Sequence, residues 1–91
     1  MNKSELIDAM SQDLNLTLHE ASSITNTIMS AMTNALANGD SIEIRGFGSF
    51  VVKKYNTYYG RNPKSGEKIK VPPKKLPFFK VGKELKERVN S

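Results

Sequence analysis

From Val51 to Arg61 the chain reads VVKKYNTYYGR, about eleven residues of β-prone character. Fully extended, such a run spans roughly 36 Å, whereas an ordinary strand has about 5–6 residues. A chain of 91 residues folds as one domain and buries only a modest share of its surface. The run, which starts as a strand near Ser49, is too long to remain inside so small a body, so its far end is expected to protrude. NPKSGE at 62–67 is turn chemistry, Asn-Pro opening and Ser-Gly closing it. KIKV at 68–71 returns, with Lys68 and Lys70 on one face and Ile69 and Val71 on the other. Pro72, Pro73 and Pro77 argue against a central strand but suit a two-stranded ribbon, in which both strands are edges.

Charge is concentrated on this ribbon. Residues 1–40 hold one base, Lys3, against five acids, and residues 41–91 hold thirteen bases against four acids. Within 53–75 there are eight bases and one acid, a net charge of +7. A basic segment attached to an acidic half is an electrostatic footprint for phosphate-rich partners; a solubilising loop is the plainer alternative.

The acidic half reads as two helices. Asn2 and Glu5 make a capping-box pattern, followed by Leu6, Ile7, Met10 and Leu14 at helical spacing. NLT at 15–17 breaks that helix, and Thr17 with Glu20 makes a second box. Ala21, Ile24, Ile28, Ala31, Met32, Ala35 and Leu36 form one apolar stripe, and Gly39 is a natural stop, which predicts a helix over 18–38. At this spacing Met10, Met29 and Met32 are expected in the core. After Asp40 the period changes to alternation at Ser41–Ile44, and RGFGSF offers two glycines for a tight turn with Phe47 and Phe50 as anchors. A short helix over 83–90, with Leu85 and Val89 inward, is expected to close the chain.

There is no Cys and a single His, so neither a disulfide framework nor a zinc site is expected. No apolar run approaches the ~18 residues of a membrane span, and MNKSELID starts with helix chemistry rather than a signal pattern; a cytoplasmic location is the expectation. No nucleophile–base pair, carboxylate dyad or phosphate-cradling loop is present at a workable spacing, so the chain is not expected to be an enzyme. His19, in the first turn of the second helix, is assigned no role.

A β-ribbon can enter a nucleic-acid groove. Lys53, Arg61, Lys68 and Lys70 can meet phosphates from one side, with Lys64, Lys74 and Lys75 adding charge at tip and base. A proline at the tip, Pro63, can wedge between base pairs from the minor groove, and Arg61 beside it suits a narrow groove. Asn62-Pro63 is equally readable as turn chemistry alone. Tyr55, Tyr58 and Tyr59 can stack on bases or stiffen the ribbon by cross-strand packing. Glu43 and Arg45 can form a structural ion pair or help contact DNA. Docking of the basic arm on an acidic protein and binding of single-stranded nucleic acid are the competing readings.

IEIRGFGSF (42–50), GRNPKSGEKIKV (60–71) and LPFFKVGKELKERV (76–89), with the opening MNKSELIDAM, resemble the bacterial HU/IHF family of DNA-bending proteins over essentially the whole chain. The resemblance implies an α+β fold: an intertwined dimer with a helical base, a small antiparallel sheet and a protruding two-stranded β-arm per subunit. Residues 1–40 would supply the base, 41–52 and 76–81 the sheet saddle, 53–75 the arm and 82–91 a terminal helix. The family's intercalating proline falls on Pro63, flanked by Arg61 and Asn62. Its phosphate contacts fall on Lys3, on Lys53, Lys64, Lys68, Lys70, Lys74 and Lys75 of the arm, and on Lys80 and Lys83. Arg45 would approach the DNA flank, helped by Glu43. The implied partners are double-stranded DNA and a second subunit, as a homodimer or as a heterodimer with a related chain. No cofactor, membrane or small-molecule substrate is implied, and the location would be the cytoplasmic nucleoid. RGFGSF and YYGRNPK look like the IHF type, its beta-like subunit above all, whereas MNKSELIDAM and PFFKVGKELKERVNS look HU-like. The acidic, Ser/Thr/Asn-rich helical half departs from many members, and its few lysines imply little DNA contact along the sides of the body.

Overall fold

A computed structural model describes all 91 residues, which form two compact units, residues 1–35 and 36–91. In the first unit, helix α1 (Lys3–Asp13) starts at the expected box: Asn2 Oδ1 accepts from the Glu5 N–H at 2.9 Å, and Glu5 Oε1 accepts from the Asn2 N–H at 3.4 Å. Its end is equally local. Asn15 takes a left-handed conformation, φ 53°, which asparagine tolerates better than most residues. The Leu16 N–H then donates to the Ser11 carbonyl (2.9 Å) and the Asn15 N–H to that of Gln12 (3.4 Å), the paired bonds of a Schellman stop. Helix α2 (Leu18–Ala37) opens on the second box, with Thr17 N–H to Glu20 Oε1 at 3.0 Å and Glu20 N–H to Thr17 Oγ1 at 3.1 Å. It stops before Gly39, whose φ is 85°.

The apolar stripe of α2 is only partly inside. Ala21 is fully buried and Met32, Ala35 and Leu36 are half-buried, but Ile24, Ile28 and Met29 stay open to solvent. The other buried residue of α2 is Thr25, 3% exposed, which apolar periodicity passes over. Its hydroxyl has one proton, given to the Ala21 carbonyl at 2.8 Å, and the Met10 sulfur lies 3.2 Å from the same oxygen. A threonine satisfied by its own helix buries its methyl group without leaving a polar atom unpaired.

The second unit holds strands β1 (Ile42–Ile44), β2 (Gly48–Tyr55), β3 (Tyr58–Arg61), β4 (Lys68–Val71) and β5 (Lys74–Val81), then helix α3 (Lys83–Val89). β1, β2 and β5 form an antiparallel sheet in the order β1-β2-β5, and β3 pairs with β4 as a separate ladder. The strand expected to run unbroken from Ser49 to Arg61 is therefore two strands. The sheet ladder ends at Tyr55↔Lys74 and the hairpin ladder begins at Tyr58↔Val71. Asn56-Thr57 thus face Pro72-Pro73, two residues against two, and the register carries through without a bulge. Neither proline has an N–H, so whichever of the two faces Asn56-Thr57 cannot donate across the gap. Pro77 is accommodated in β5, an edge strand, opposite Val52.

The β1–β2 turn is closed by the Phe47 N–H on the Ile44 carbonyl at 3.0 Å. Only Gly46 lies within it; the second glycine of the motif, Gly48, is the first residue of β2 and has a packing role instead. A Cβ there would sit 2.5 Å from the Lys80 carbonyl and 2.6 Å from the Phe79 ring. The Phe79 ring packs against Phe50 at 4.8 Å and Phe47 at 5.6 Å between centroids. The Gly82 N–H donates to the Phe47 carbonyl at 2.8 Å, tying the start of α3 to the turn. On α3, Leu85 is half-buried, but Val89, expected inward, is 78% exposed as the last residue of a seven-residue helix.

Candidate nucleic-acid interface

The tip of the hairpin is one turn of helix. Asn62 acts as its cap: its Oδ1 accepts from the Lys64 N–H at 2.9 Å, and its carbonyl accepts from the Gly66 N–H at 2.8 Å. Pro63 takes the first position inside the turn, where a missing N–H costs nothing and a fixed φ is pre-organised. Gly66, at φ 73°, reverses the chain, and the Asn62 N–H closes the loop on the Glu67 carbonyl at 2.8 Å. Pro63 is therefore exposed at the apex of a turn in which Asn62 alone makes three hydrogen bonds.

Below the tip, register sets which side chains share a face. Arg61 lies directly across from Lys68 and Tyr59 from Lys70; these four share one face, and Tyr58, Gly60, Ile69 and Val71 share the other. The pairing of Arg61 with Lys68 sets like charges opposite each other, an arrangement that destabilises an isolated ribbon. Nothing offsets it within the chain. The one ion pair within 4.0 Å is Lys83–Glu87 at 3.9 Å, along α3 and well exposed. Arg61 and Lys68 thus have no carboxylate partner within 4.0 Å, and uncompensated cations set along a ribbon are suited to a line of negative charges.

The other expected contact residues are dispersed. On the sheet, Lys53, Lys74 and Lys80 share a face with Val51, Tyr55, Leu76 and Phe78. Lys53 is not fully extended: its Nζ lies 3.6 Å from the Phe78 ring centroid, a cation–π contact. Lys75 points to the opposite face, where it is paired with Lys54. Lys54 was not among the expected contacts, although the adjacent Lys53-Lys54 pair signals it, since neighbours on a strand project to opposite sides. Lys64 is in the tip turn, Arg45 is exposed in the β1–β2 turn and Lys83 opens α3 with its ammonium towards Glu87. Lys3 lies in the first turn of α1, in the other unit. No ion pair joins Glu43, in β1, to Arg45, in the turn that follows it.

The tyrosines divide. Lys74 Nζ is 5.9 Å from the Tyr55 ring, and Tyr58 shares its face with Val71, both within about 4 Å of the space above Gly60. Tyr55 thus lies at the end of the sheet and Tyr58 on the apolar face of the hairpin. Tyr59, on the cation face, is the most exposed of the three.

This geometry matches known proteins along its whole length. The sequence pattern of the family described as Bacterial DNA-binding protein matches residues 1–90. The chain belongs to the bacterial HU/IHF family of DNA-binding proteins. HU/IHF proteins are architectural DNA-binding proteins, not enzymes. Among relatives, integration host factor subunit beta of Ralstonia nicotianae is 52% identical over 99% of this chain, which spans 66% of that protein. The subunit beta of Paraburkholderia xenovorans is also 52% identical over 99% of the chain, which spans 85% of it. Among solved structures, HU of Anabaena in a DNA cocrystal superimposes with a TM-score of 0.88 at 35% identity, over 98% of this chain and 97% of that one. HU from Thermotoga maritima gives 0.70 at 35% identity, over 98% of each chain. The α+β fold expected of an HU/IHF member, with a small antiparallel sheet and a two-stranded hairpin, is the one observed.

Proposed function

We propose that this chain is a DNA-bending subunit of the integration host factor type, acting with a related second subunit. Its hairpin follows the minor groove of duplex DNA, and Pro63 wedges between base pairs. The observation that carries this reading is the conjunction at the arm's end. Unpaired like charges, Arg61 and Lys68, face each other beneath a proline presented by a capped, rigid turn. Cations hold the backbone and set position; an apolar wedge without an N–H enters the stack at a cost of a few kcal/mol per step, offset by the contacts that bent DNA makes. Lys64 and Lys70 on the arm, Lys53, Lys74 and Lys80 on one sheet face, and Lys75 on the other supply further phosphate contacts, with Arg45, Lys83 and Lys3 towards the flanks.

The surface left uncovered supports a second subunit. Ile24 and Ile28 on α2, and Ile44, Phe79 and Val81 on one sheet face, each keep roughly two-fifths to half of their surface open, more than a small chain can leave in water and remain stable. A related chain packed about a two-fold axis covers such faces. The names of the beta-subunit relatives favour a heterodimer with sequence preference, working where DNA must be folded for recombination, replication or transcription. The likeness to HU structures supports the second reading, a homodimer that packs DNA without preference. Either function belongs in the nucleoid.

Bend angle, measured by FRET between the ends of a duplex, tests the wedge. Pro63→Ala should reduce the bend far more than the affinity, and an unchanged bend refutes the role of Pro63. Light scattering and gel shift on the pure chain, alone and mixed with an alpha-type subunit, separate the two assemblies. Sequence-selective binding that appears only in the mixture supports the heterodimer; bending of any duplex by the pure chain supports the homodimer.

A further inference from the structure

The cation face of the β3–β4 hairpin carries one residue that phosphate binding does not explain. Tyr59 is 69% exposed, lies across from Lys70 and shares its face with Arg61 and Lys68. Tyr55 has an ammonium over its ring and Tyr58 packs against the apolar side, but no ring or ammonium covers Tyr59. An exposed phenol surrounded by three unpaired cations on a ribbon is held against whatever those cations grip.

We infer that Tyr59 is a specificity-determining residue, its hydroxyl donating to base acceptors in the minor groove and biasing the arm towards A·T pairs. The inference rests on the minor-groove reading above and adds to it a direct contact to bases. The chemistry follows from the groove. A·T and T·A pairs present only acceptors there, adenine N3 and thymine O2, whereas a G·C pair adds the guanine N2 amino group, itself a donor. Lysine and arginine reach phosphates from any sequence. A phenol O–H at the groove floor finds an acceptor at A·T and meets a competing donor at G·C. A tyrosine side chain also has only two χ angles to order when it makes such a contact.

The test uses three alternating duplexes of equal length, A·T, G·C and inosine·cytosine, with the full chain in its assembled form and Tyr59→Phe beside it. Inosine·cytosine lacks the N2 amino group, so its minor groove resembles that of A·T while its major groove resembles that of G·C. Affinities are read by fluorescence anisotropy at one salt concentration. Because duplex flexibility is common to both proteins, the change in the A·T to G·C ratio between them isolates the hydroxyl. The wild-type protein should bind A·T and inosine·cytosine alike, and both roughly two- to tenfold more tightly than G·C, the range of one net hydrogen bond. Tyr59→Phe should bring that ratio close to one. If inosine·cytosine tracks A·T and the phenylalanine variant keeps the full ratio, the role of Tyr59 is overturned and the minor-groove reading stands. If inosine·cytosine tracks G·C, or the wild type makes no distinction among the three, the role of Tyr59 is overturned, while the minor-groove reading, which rests on phosphates and the Pro63 wedge, is decided by the bend angle of Pro63→Ala.

Discussion

Lys68→Gln separates what the arm loses in the free protein from what it gains on DNA. Lys68 and Arg61 are directly opposed, and Cβ atoms in such a pair lie about 4.5–5.5 Å apart. Two unit charges about 5 Å apart in water repel by roughly 0.8 kcal/mol, and screening at 0.15 M salt, with a Debye length of about 8 Å, leaves about half of that. The long side chains splay apart, so this is an upper bound. Glutamine at position 68 removes the repulsion. Amide exchange in the free hairpin, at Gly60 and Asn62, whose N–H groups face the β4 side, should slow by a factor of two at most. On DNA the change goes the other way. One lost phosphate contact flattens the dependence of log K on log salt by about 0.9. Between 50 and 200 mM that amounts to roughly 3.5-fold, so the wild type's advantage should shrink by about that factor across the range. Adding Arg61→Gln should take away a second increment of slope but bring no further slowing of exchange, since the repulsion is relieved once. The assay is anisotropy over the salt range on at least three unrelated sequences. An unchanged slope, or a loss confined to one sequence, refutes the reading of Lys68 as a phosphate contact.

Three further outcomes follow from local geometry. Gly48→Ala places a Cβ against the Lys80 carbonyl and the Phe79 ring; because one wall is backbone, overpacking should cost about 1–3 kcal/mol, seen as a lower Tm by calorimetry, and an unaltered Tm refutes the close approach. Asn62→Ala frees the Lys64 N–H at the tip, a cap worth about 0.5–2 kcal/mol; the FRET distribution of bent complexes should broaden while the salt slope stays as it was, and a changed slope would mean that Asn62 itself neutralises charge. The Thr17 backbone N–H, and after it the Thr17 hydroxyl, hold the Glu20 carboxyl below its ordinary 4.5. A depressed folded pKa stabilises above the unfolded value and is lost as pH falls through the folded one. Urea midpoints of wild type and Glu20→Gln should therefore differ at neutral pH and converge below 4.5; a constant difference down to pH 3 refutes the charged cap.

Much of this protein was legible in its residues, for a physical reason that differs from part to part. Both helix starts could be read because a capping box is a contact between residues three apart, Asn2 with Glu5 and Thr17 with Glu20. The same holds for the tip, where Asn62, Pro63 and Gly66 need only each other to make a turn. That turn sets the register of the arm, so the common face of Lys68 and Lys70 was also within reach. Cross-strand and inter-helix terms were not. Nothing local reports that Thr25 is buried beside Met10, since its hydroxyl is satisfied inside its own helix. The long strand looked continuous because Asn56 and Thr57 do not break β-structure themselves; the prolines that interrupt it are about fifteen residues further on, and only pairing brings them opposite. Likewise, the diagonal contact of Lys53 with Phe78, the role of Gly48 under Phe79 and the separation of Glu43 from Arg45 depend on which atoms the sheet brings within a few ångströms. The chain by itself determined its helix caps, its tip and the placement of its charge, all encoded between near neighbours. The tertiary structure alone decided where the ribbon separates from the sheet and which cations stand free, because those depend on residues far apart in sequence meeting across a ladder.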